Sequence, residues 1–319
     1  MSLNWNSRIN MRDQNIIYHH SSLRGIPRVT IGLPTYRRER YIRRALASIA
    51  SQTYRNYTLI ISDNDGCKPE TLSAVEEFVE SIPEVTLIAQ PQNIGAVNNL
   101  KFLLALAETE YFMWLADDDE ISEDYINELI SLLDKDPSVM TAMGNWIAMA
   151  DPYSGHKRKQ RRPVERSRVV RLFRFVVGPS DDSAFYGLHR TACLRLTSFS
   201  DYLPPNRGVL TNFCYLILFD MLLQGRFEYG KYSNWICHNY SEKEYSKAFS
   251  RGFIDRLRTM LRRLNVYSLF MLKSFHCDPF LLPVVLLASL IGFFNDLRFA
   301  LFRISPCFMF KPTPSTPDR

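Results

Sequence analysis

Four short apolar runs, each halted by a polar cluster, constrain this chain more than any other feature. Arg28-Val-Thr-Ile-Gly-Leu33 stops at Pro34-Thr35-Tyr36. Tyr57-Thr-Leu-Ile-Ile-Ser62 stops at Asp63-Asn64-Asp65-Gly66, and Val85-Thr-Leu-Ile-Ala89 runs into Gln92-Asn93-Ile94-Gly95. Tyr111-Phe112-Met113-Trp114-Leu115-Ala116 ends in four consecutive acids, Asp117 to Glu120. Runs of this length, rich in β-branched and aromatic residues, predict buried strands. Between them apolar residues recur at helical spacing: Tyr41, Ile42, Ala45, Leu46 and Ile49, then Leu72, Val75, Phe78 and Val79 behind Pro69, then a helix from about Val97 to Glu108. Strand and helix in alternation predict a parallel sheet with helices on its faces. In such sheets ligands bind beyond the carboxyl ends of the strands, and every polar cluster named above falls at such an end.

The acid run sharpens the expectation. Unpaired carboxylates are too costly to bury, so the four acids belong at the end of the fourth strand, either in solvent or around a cation. A capped helix start explains an isolated run, because Ser122 with Glu123 and Asp124 follows it. Capping does not explain four polar loops converging on one edge, whereas a binding site does. Hard divalent cations take oxygen ligands, and Mg2+ is usually held by one or two carboxylates together with substrate phosphates.

The order and spacing of these motifs resemble the nucleotide-binding half of a family 2 glycosyltransferase, a GT-A fold. The resemblance rests on Leu33-Pro34-Thr35-Tyr36-Arg37-Arg38-Glu39, Ser62-Asp63-Asn64-Asp65, Asn93-Ile94-Gly95 followed by Asn98-Asn99, and Trp114-Leu115-Ala116-Asp117-Asp118-Asp119. It is strong over about Arg28 to Leu133 and looser to about Asn239. It implies an α/β, Rossmann-like, mostly parallel central sheet with flanking helices, and an inverting, metal-dependent transfer of a sugar from a nucleoside-diphosphate sugar to a hydroxyl acceptor. It further implies that Pro34, Thr35, Tyr36, Glu39, Asp63, Asp65, Asn93, Asn99, Asp117 and Asp118 contact the nucleotide. Asp119 and Asp117 would hold Mn2+ or Mg2+, with Asp118 or Asp117 on the ribose hydroxyls. Asn93 and Gly95 also make a turn for reasons of their own. Where this chain has Arg37 the family often has Asn.

The expected organisation is an arm over residues 1–27, a GT-A domain over 28–240 divided near 133 into nucleotide and acceptor halves, and a helical segment over 241–319. In the acceptor half Val139 to Met149 and Ser183 to Arg190 read as strands and Val209 to Gln224 as a helix. The family commonly places its catalytic acid at the start of that helix. Here Leu210-Thr211-Asn212 stands there. The candidates for a base are therefore Asp181, Asp182 and Asp220, the first two in a loop and the third mid-helix. His189 and His238 read as structural. The missing acid is also the best support for a rival reading, a non-catalytic nucleotide-sugar-binding or membrane scaffold protein. A nucleotidyltransferase, the other rival, usually needs a Gly-rich basic loop after the first strand, and Pro-Thr-Tyr is not one.

Charge and the remaining segments bear on partners. A net charge of +6 and a pI near 9.0 suit anionic partners. The basic run His156 to Arg162 reads as a solvated loop or a phosphate contact, and with no recognised nucleic-acid module beside it, nucleic acid is not expected. Six cysteines show no Cys-x-x-Cys pair, which favours a reducing compartment, and Met1 to Ser22 lacks an apolar signal core. From Arg251 to Lys273 arginines alternate with leucines and phenylalanines at helical spacing, a pattern suited to an anionic membrane surface. The apolar stretch Phe280 to Phe294 is shorter than an easy span; it reads as interfacial, re-entrant, a hairpin with Leu297 to Phe302, or a packing helix. These features lead to the expectation of a cytoplasmic enzyme peripheral to the inner membrane face, meeting a hydroxyl acceptor such as a lipid-linked glycan in polysaccharide or glycolipid assembly.

Overall fold

A computed structural model describes residues 15–151, 154–157, 164–178, 181–197, 210–238 and 253–302. The apolar runs become strands β2 (Val29–Thr35), β3 (Tyr57–Asp63), β4 (Glu84–Ala89) and β5 (Tyr111–Trp114), preceded by β1 (Ile16–Ser21). The helices between them are α1 (Glu39–Ala50), α2 (Pro69–Phe78) and α3 (Ala96–Leu106). Pro69 occupies the first turn of α2, where its missing N–H costs nothing. The second half supplies β6 (Asp119–Ile121), α4 (Tyr125–Lys135), β7 (Val139–Asp151), β8 (Ser154–Lys157), α5 (Arg168–Val177), β9 (Leu188–Arg190), α6 (Thr191–Arg195), α7 (Leu210–Gln224) and β10 (Arg226–Cys237). Two long helices follow, α8 (Phe253–Cys277) and α9 (Leu282–Phe302).

All ten strands join one sheet in the order β1-β4-β3-β2-β5-β9-β7-β10-β6, with β8 on β7. β4, β3, β2 and β5 are mutually parallel and β7 is parallel to β10. The other pairings, including those of β9 to β5 and β7, are antiparallel. The α/β, GT-A-type sheet expected from the motifs is therefore present, with its parallel character concentrated in the nucleotide half. Register makes the polar clusters meet: Thr35 pairs with Asp63, and Asp63 with Ala89, so three strands stop level.

Packing explains why the sheet forms where it does. β2, β3 and β5 are buried along their length, as strands covered on both faces must be. Trp114 sits at the centre, edge-on to Phe112 at 4.8 Å and stacked on Phe185 at 4.5 Å, and its indole N–H donates to the Leu100 carbonyl on α3 at 3.1 Å. Gly32 lets this cluster close: a Cβ there would come within 2.9 Å of the Phe112 ring.

Several expectations are corrected. Residues 16–21, assigned to the arm, form an edge strand whose register on β4 runs from Ile16 opposite Ile88 to Ser21 opposite Glu84, because β4 would otherwise present an unpaired edge. Ser183–Tyr186, expected as strand, is a 3-10 turn; the Asp181 carboxylate accepts the Ser183 N–H at 3.0 Å and closes the chain into a turn before β9. Phe280 to Phe294 is neither a short element nor half of a hairpin with Leu297 to Phe302. Phe280 and Leu281 lie in a 3-10 turn, and the rest, together with Leu297 to Phe302, forms one unbroken helix, α9, whose Pro283 lies in the first turn and so interrupts nothing. Arg251 and most of the basic run at 156–162 lie outside the described residues.

α8 and α9 pack on the body. Phe270 of α8 stacks on Phe219 of α7 at 4.2 Å and lies 6.2 Å from Phe175 of α5. Val285, Ala288 and Ser289 of α9 are buried, and Tyr267 of α8 donates to the Asp296 carboxylate at 3.0 Å.

Candidate active site

The carboxyl ends of β2, β3 and β5 open into a cleft of about 530 Å3 whose lining includes Pro34, Thr35, Tyr36, Arg38, Asn64, Asn93, Asn99, Asp117, Asp118, Asp119, Tyr186 and Trp235. The acids do not stand in solvent: Asp117, Asp118 and Asp119 are only 5%, 7% and 3% exposed. The chain turns back after Leu115, and Asp119–Ile121 pairs with the end of β10 as β6, Asp119 opposite Cys237. That pairing draws the run into the cleft wall instead of letting it splay outward.

Each buried carboxylate has a partner. Asp117 accepts a 2.7 Å hydrogen bond from the Thr35 hydroxyl. Asp118 pairs with Arg38, whose guanidinium also reaches Asp117 at 3.5 Å. Asp119 accepts from the Trp235 indole N–H at 3.1 Å. Burial nonetheless dominates. It pushes the Asp117 carboxyl up to about 6, with the Thr35 hydrogen bond opposing the rise. It pushes Asp119 up to about 8, aided by the Asp118 charge and opposed by hydrogen bonds from Cys237, Trp235 and the His238 backbone. A carboxylate in such a place binds either a proton or a cation.

The loops at the rim hold one another. Asn64 and Asn93 are linked, Nδ2 to Oδ1 at 3.1 Å, and the Asn64 side-chain Oδ1 accepts the Ile94 N–H at 2.9 Å. Gly95, with φ of 84°, turns the chain into α3 in a conformation that suits glycine. Asn99 is buried and braces β3, accepting from the Ser62 hydroxyl at 2.6 Å and donating to the Ser62 carbonyl at 3.1 Å. Tyr36 is 38% exposed at the rim, its ring capped by the Arg37 guanidinium at 5.0 Å.

The other expected residues fall elsewhere. The Asp63 carboxyl is buried and turned to the start of α2, accepting from the Thr71 side chain and the Lys68 backbone; burial raises it to about 6. Asp65 pairs with Arg37 at 2.7 Å, and Glu39 begins α1 without lining the cleft. Among the three base candidates, Asp220 is paired with Lys273 in the contact between α7 and α8. Asp181 and Asp182 precede the 3-10 turn carrying Tyr186, and burial together with the Asp181 charge raises Asp182 to about 6. The Tyr186 ring feels both Asp119 and Asp182 and stacks on Trp235 at 4.8 Å. Thr211 and Asn212 lie on α7, but their side chains are outside the description. His189 is structural, bonded to the Thr141 hydroxyl at 2.9 Å and the Phe185 carbonyl at 3.0 Å.

Sequence reasoning missed Trp235, Tyr186 and Cys237. They lie on β10 and the 3-10 turn, well over sixty residues from the acid run, and no local pattern connects them to it. Arg38 was visible beside Arg37, but only the fold turns it inward.

Fold and cleft together define an α/β architecture of the GT-A type with a ligand-sized cleft at the carboxyl ends of its parallel strands. The model of the family described as Glycosyl transferase family 2 matches residues 30–195, more than half of the chain, and the protein belongs to that family. An uncharacterized glycosyltransferase of Haemophilus influenzae is 31% identical over 121 residues, 38% of this chain and 37% of that protein. The putative colanic acid biosynthesis glycosyl transferase WcaA of Escherichia coli is 32% identical over 96 residues, 30% of this chain and 33% of that one. The match thus spans about a third of those relatives' length. In fold the chain is similar to TarS of S. aureus, with a TM-score of 0.59 at 17% identity over 86% of this chain and 44% of that one. The structure of TarS 1–349 in complex with UDP-GlcNAc gives a TM-score of 0.55 at 17% identity, covering 86% and 74%.

Proposed function

We propose that this protein transfers a sugar from a nucleoside-diphosphate sugar to a hydroxyl acceptor, with inversion and with a bound divalent cation, Mn2+ or Mg2+. The observation that carries the reading is the convergence of Thr35, Tyr36, Asn93 and the buried run Asp117-Asp118-Asp119 in one cleft at the carboxyl ends of parallel strands.

The residues fit a cation that shares its shell with substrate. Among the described residues no three His, Cys, Asp or Glu side chains are placed to hold a metal by themselves. One or two carboxylates do suffice when phosphates complete the shell, and the burial that raises Asp119 and Asp117 is what such an ion would offset. Asp119, with Asp117, would hold it, and when bound it would stabilise the charge that develops on the departing diphosphate. Trp235 fixes the Asp119 carboxylate and Thr35 fixes that of Asp117. Tyr36 offers a half-exposed face to the base, and Asp118 or Asp117 takes the ribose hydroxyls. Asp63, bonded to the start of α2, acts by holding the loop that carries Asn64.

The acceptor side lies toward Tyr186 and Trp235. Asp181 or Asp182 supplies the base that takes the acceptor proton; the Asp182 carboxyl, raised by burial to about 6, is suited to that work near neutral pH. The acceptor is presented at a membrane. The 3-10 turn Pro279–Leu281 and α9 up to Arg298 make a 20-residue segment long and apolar enough to cross a bilayer by length and composition. One face of α9 is packed on the protein, while Leu286, Leu287, Leu290 and Phe294 are exposed, as is Phe280 just before it. A helix held along one side and apolar along the other suits lying on a membrane surface; that supports the reading of an enzyme peripheral to the inner membrane face, working in polysaccharide or glycolipid assembly.

The test is a thermal-shift and calorimetry panel of nucleoside diphosphates and their sugars with and without Mn2+. UDP compounds head the panel because TarS, which shares the fold, has been crystallised with UDP-GlcNAc. Asp119→Ala should abolish the Mn2+-dependent part of binding while the protein stays folded. Parental binding by that variant would refute the metal assignment.

A further inference from the structure

The acid run already has a cation beside it, and that cation belongs to the chain. Arg38 stands between β2 and α1, where its carbonyl accepts the Tyr41 N–H at 2.9 Å and so fixes its backbone in the first turn of the helix. Its guanidinium, on a side chain 47% exposed, pairs with Asp118 and reaches Asp117 at 3.5 Å.

The preceding residue shows that this direction is built in. Arg37 has φ of 55°, the one positive value at a non-glycine among the described residues. Such backbone is unfavourable for a long side chain and persists only where its surroundings hold it. Here the Arg37 guanidinium is anchored on Asp65 by contacts of 2.7 and 3.2 Å and lies over the Tyr36 ring. The twist at Arg37 sends two adjacent arginines apart, one out to the rim and one into the cleft.

We propose that Arg38 is the resident counter-cation of the acid run, which a divalent cation must displace and which then turns to the diphosphate of the donor. The inference rests on the reading of Asp117 and Asp119 as metal ligands. A single guanidinium charge leaves three adjacent buried carboxylates under-neutralised, so a divalent ion is the better occupant. Arriving alone, however, the ion meets a positive charge a few ångströms away with no other anion to receive it. A nucleoside diphosphate supplies that anion, and guanidinium groups bind phosphate oxygens in a two-pronged geometry. Metal and nucleotide therefore bind as a pair, each tightening the other, and the free metal binds weakly.

Mn2+ binding to the full chain, followed by electron paramagnetic resonance with and without UDP, tests this in the parent, Arg38→Gln and Arg38→Lys. Arg38→Gln should bind Mn2+ alone roughly three- to tenfold more tightly, the range expected for removing a partly exposed like charge. It should also lose most of the further tightening that UDP gives the parent. Arg38→Lys, which keeps the charge, should stay near the parent in Mn2+ alone. Arg38→Gln takes the guanidinium from the buried Asp118 carboxylate and should lower the unfolding midpoint, so a cooperative unfolding transition well above the assay temperature in all three proteins will confirm that folded proteins are compared. If Arg38→Gln binds Mn2+ alone no better than the parent, while the parent still binds Mn2+ with UDP, Arg38 is not the counter-cation and the metal site stands. If no variant binds Mn2+ in either condition, the metal reading itself falls, and this inference with it.

Discussion

Asp220 and Lys273 form a buried ion pair, their side chains 10% and 3% exposed, joining α7 to α8 beneath the Phe219–Phe270 stack. The sequence offered Asp220 as a catalytic base; the structure gives it a partner and a structural place. The two roles separate cleanly on mutation. Asp220→Ala takes the Asp220 carboxylate away from the buried Lys273 ammonium. Removing one member of such a pair costs about 3–5 kcal/mol, while replacing both with apolar groups of similar volume is often neutral or stabilising by about 1–4 kcal/mol. The expected series under urea denaturation at pH 7.5 is therefore a large loss for Asp220→Ala, and recovery to parental stability or above for Asp220→Leu combined with Lys273→Met. Donor binding should follow stability alone, since neither residue lines the cleft. Turnover in the double variant should be close to parental. If the double variant is as stable as the parent yet turnover falls by the 10²–10⁴-fold typical of a lost general base, Asp220 is catalytic and the structural argument is refuted.

Other consequences can be measured separately. Burial depresses His189 to about 4; because the unfolded imidazole gains its proton first, stability is fully present above about 6.5 and is lost as pH falls toward 4, by about 3 kcal/mol, so His189→Gln should flatten the change in urea midpoint between pH 7 and 4.5, and an unaltered slope would contradict it. Replacing Asp181 and Asp182 together with Asn should reduce turnover by orders of magnitude and leave UDP–Mn2+ binding near parental; near-parental turnover would move the base elsewhere. The full chain should sediment with anionic vesicles and less so in added salt, and Leu287→Glu with Leu290→Glu, both on the exposed face of α9, should release it without lowering its unfolding midpoint; retention of the variant on vesicles would show that α9 is not the contacting surface. Truncation after Asn239 should destabilise the remainder, because it uncovers Phe219 and takes Lys273 from the buried Asp220; a cooperative, parental unfolding transition in the truncated protein would show that α8 and α9 are dispensable for the fold.

The sequence by itself determined the parallel half of the sheet and where its cleft lies. Those strands are buried on both faces and so appear as continuous apolar runs, and each must end where the polar residues begin; Thr35, Asn93 and Asp117 are legible because strand ends are local events. What only the tertiary structure decided depends on partners distant in sequence. That Asp119 is buried and not solvated follows from β6 pairing with β10, and its indole partner Trp235 comes from the same distant strand. That Asp63 faces α2, that Asp220 is neutralised by Lys273 and that residues 16–21 close the β4 edge are equally non-local. Arg37 and Arg38 show the boundary within two residues. Their identity is written in the chain, but which one enters the cleft is settled by a single left-handed backbone conformation, held by Asp65 from the next strand end. Local propensity fixes where an element starts and stops; the environment of a charge is fixed by whatever the rest of the chain packs against it.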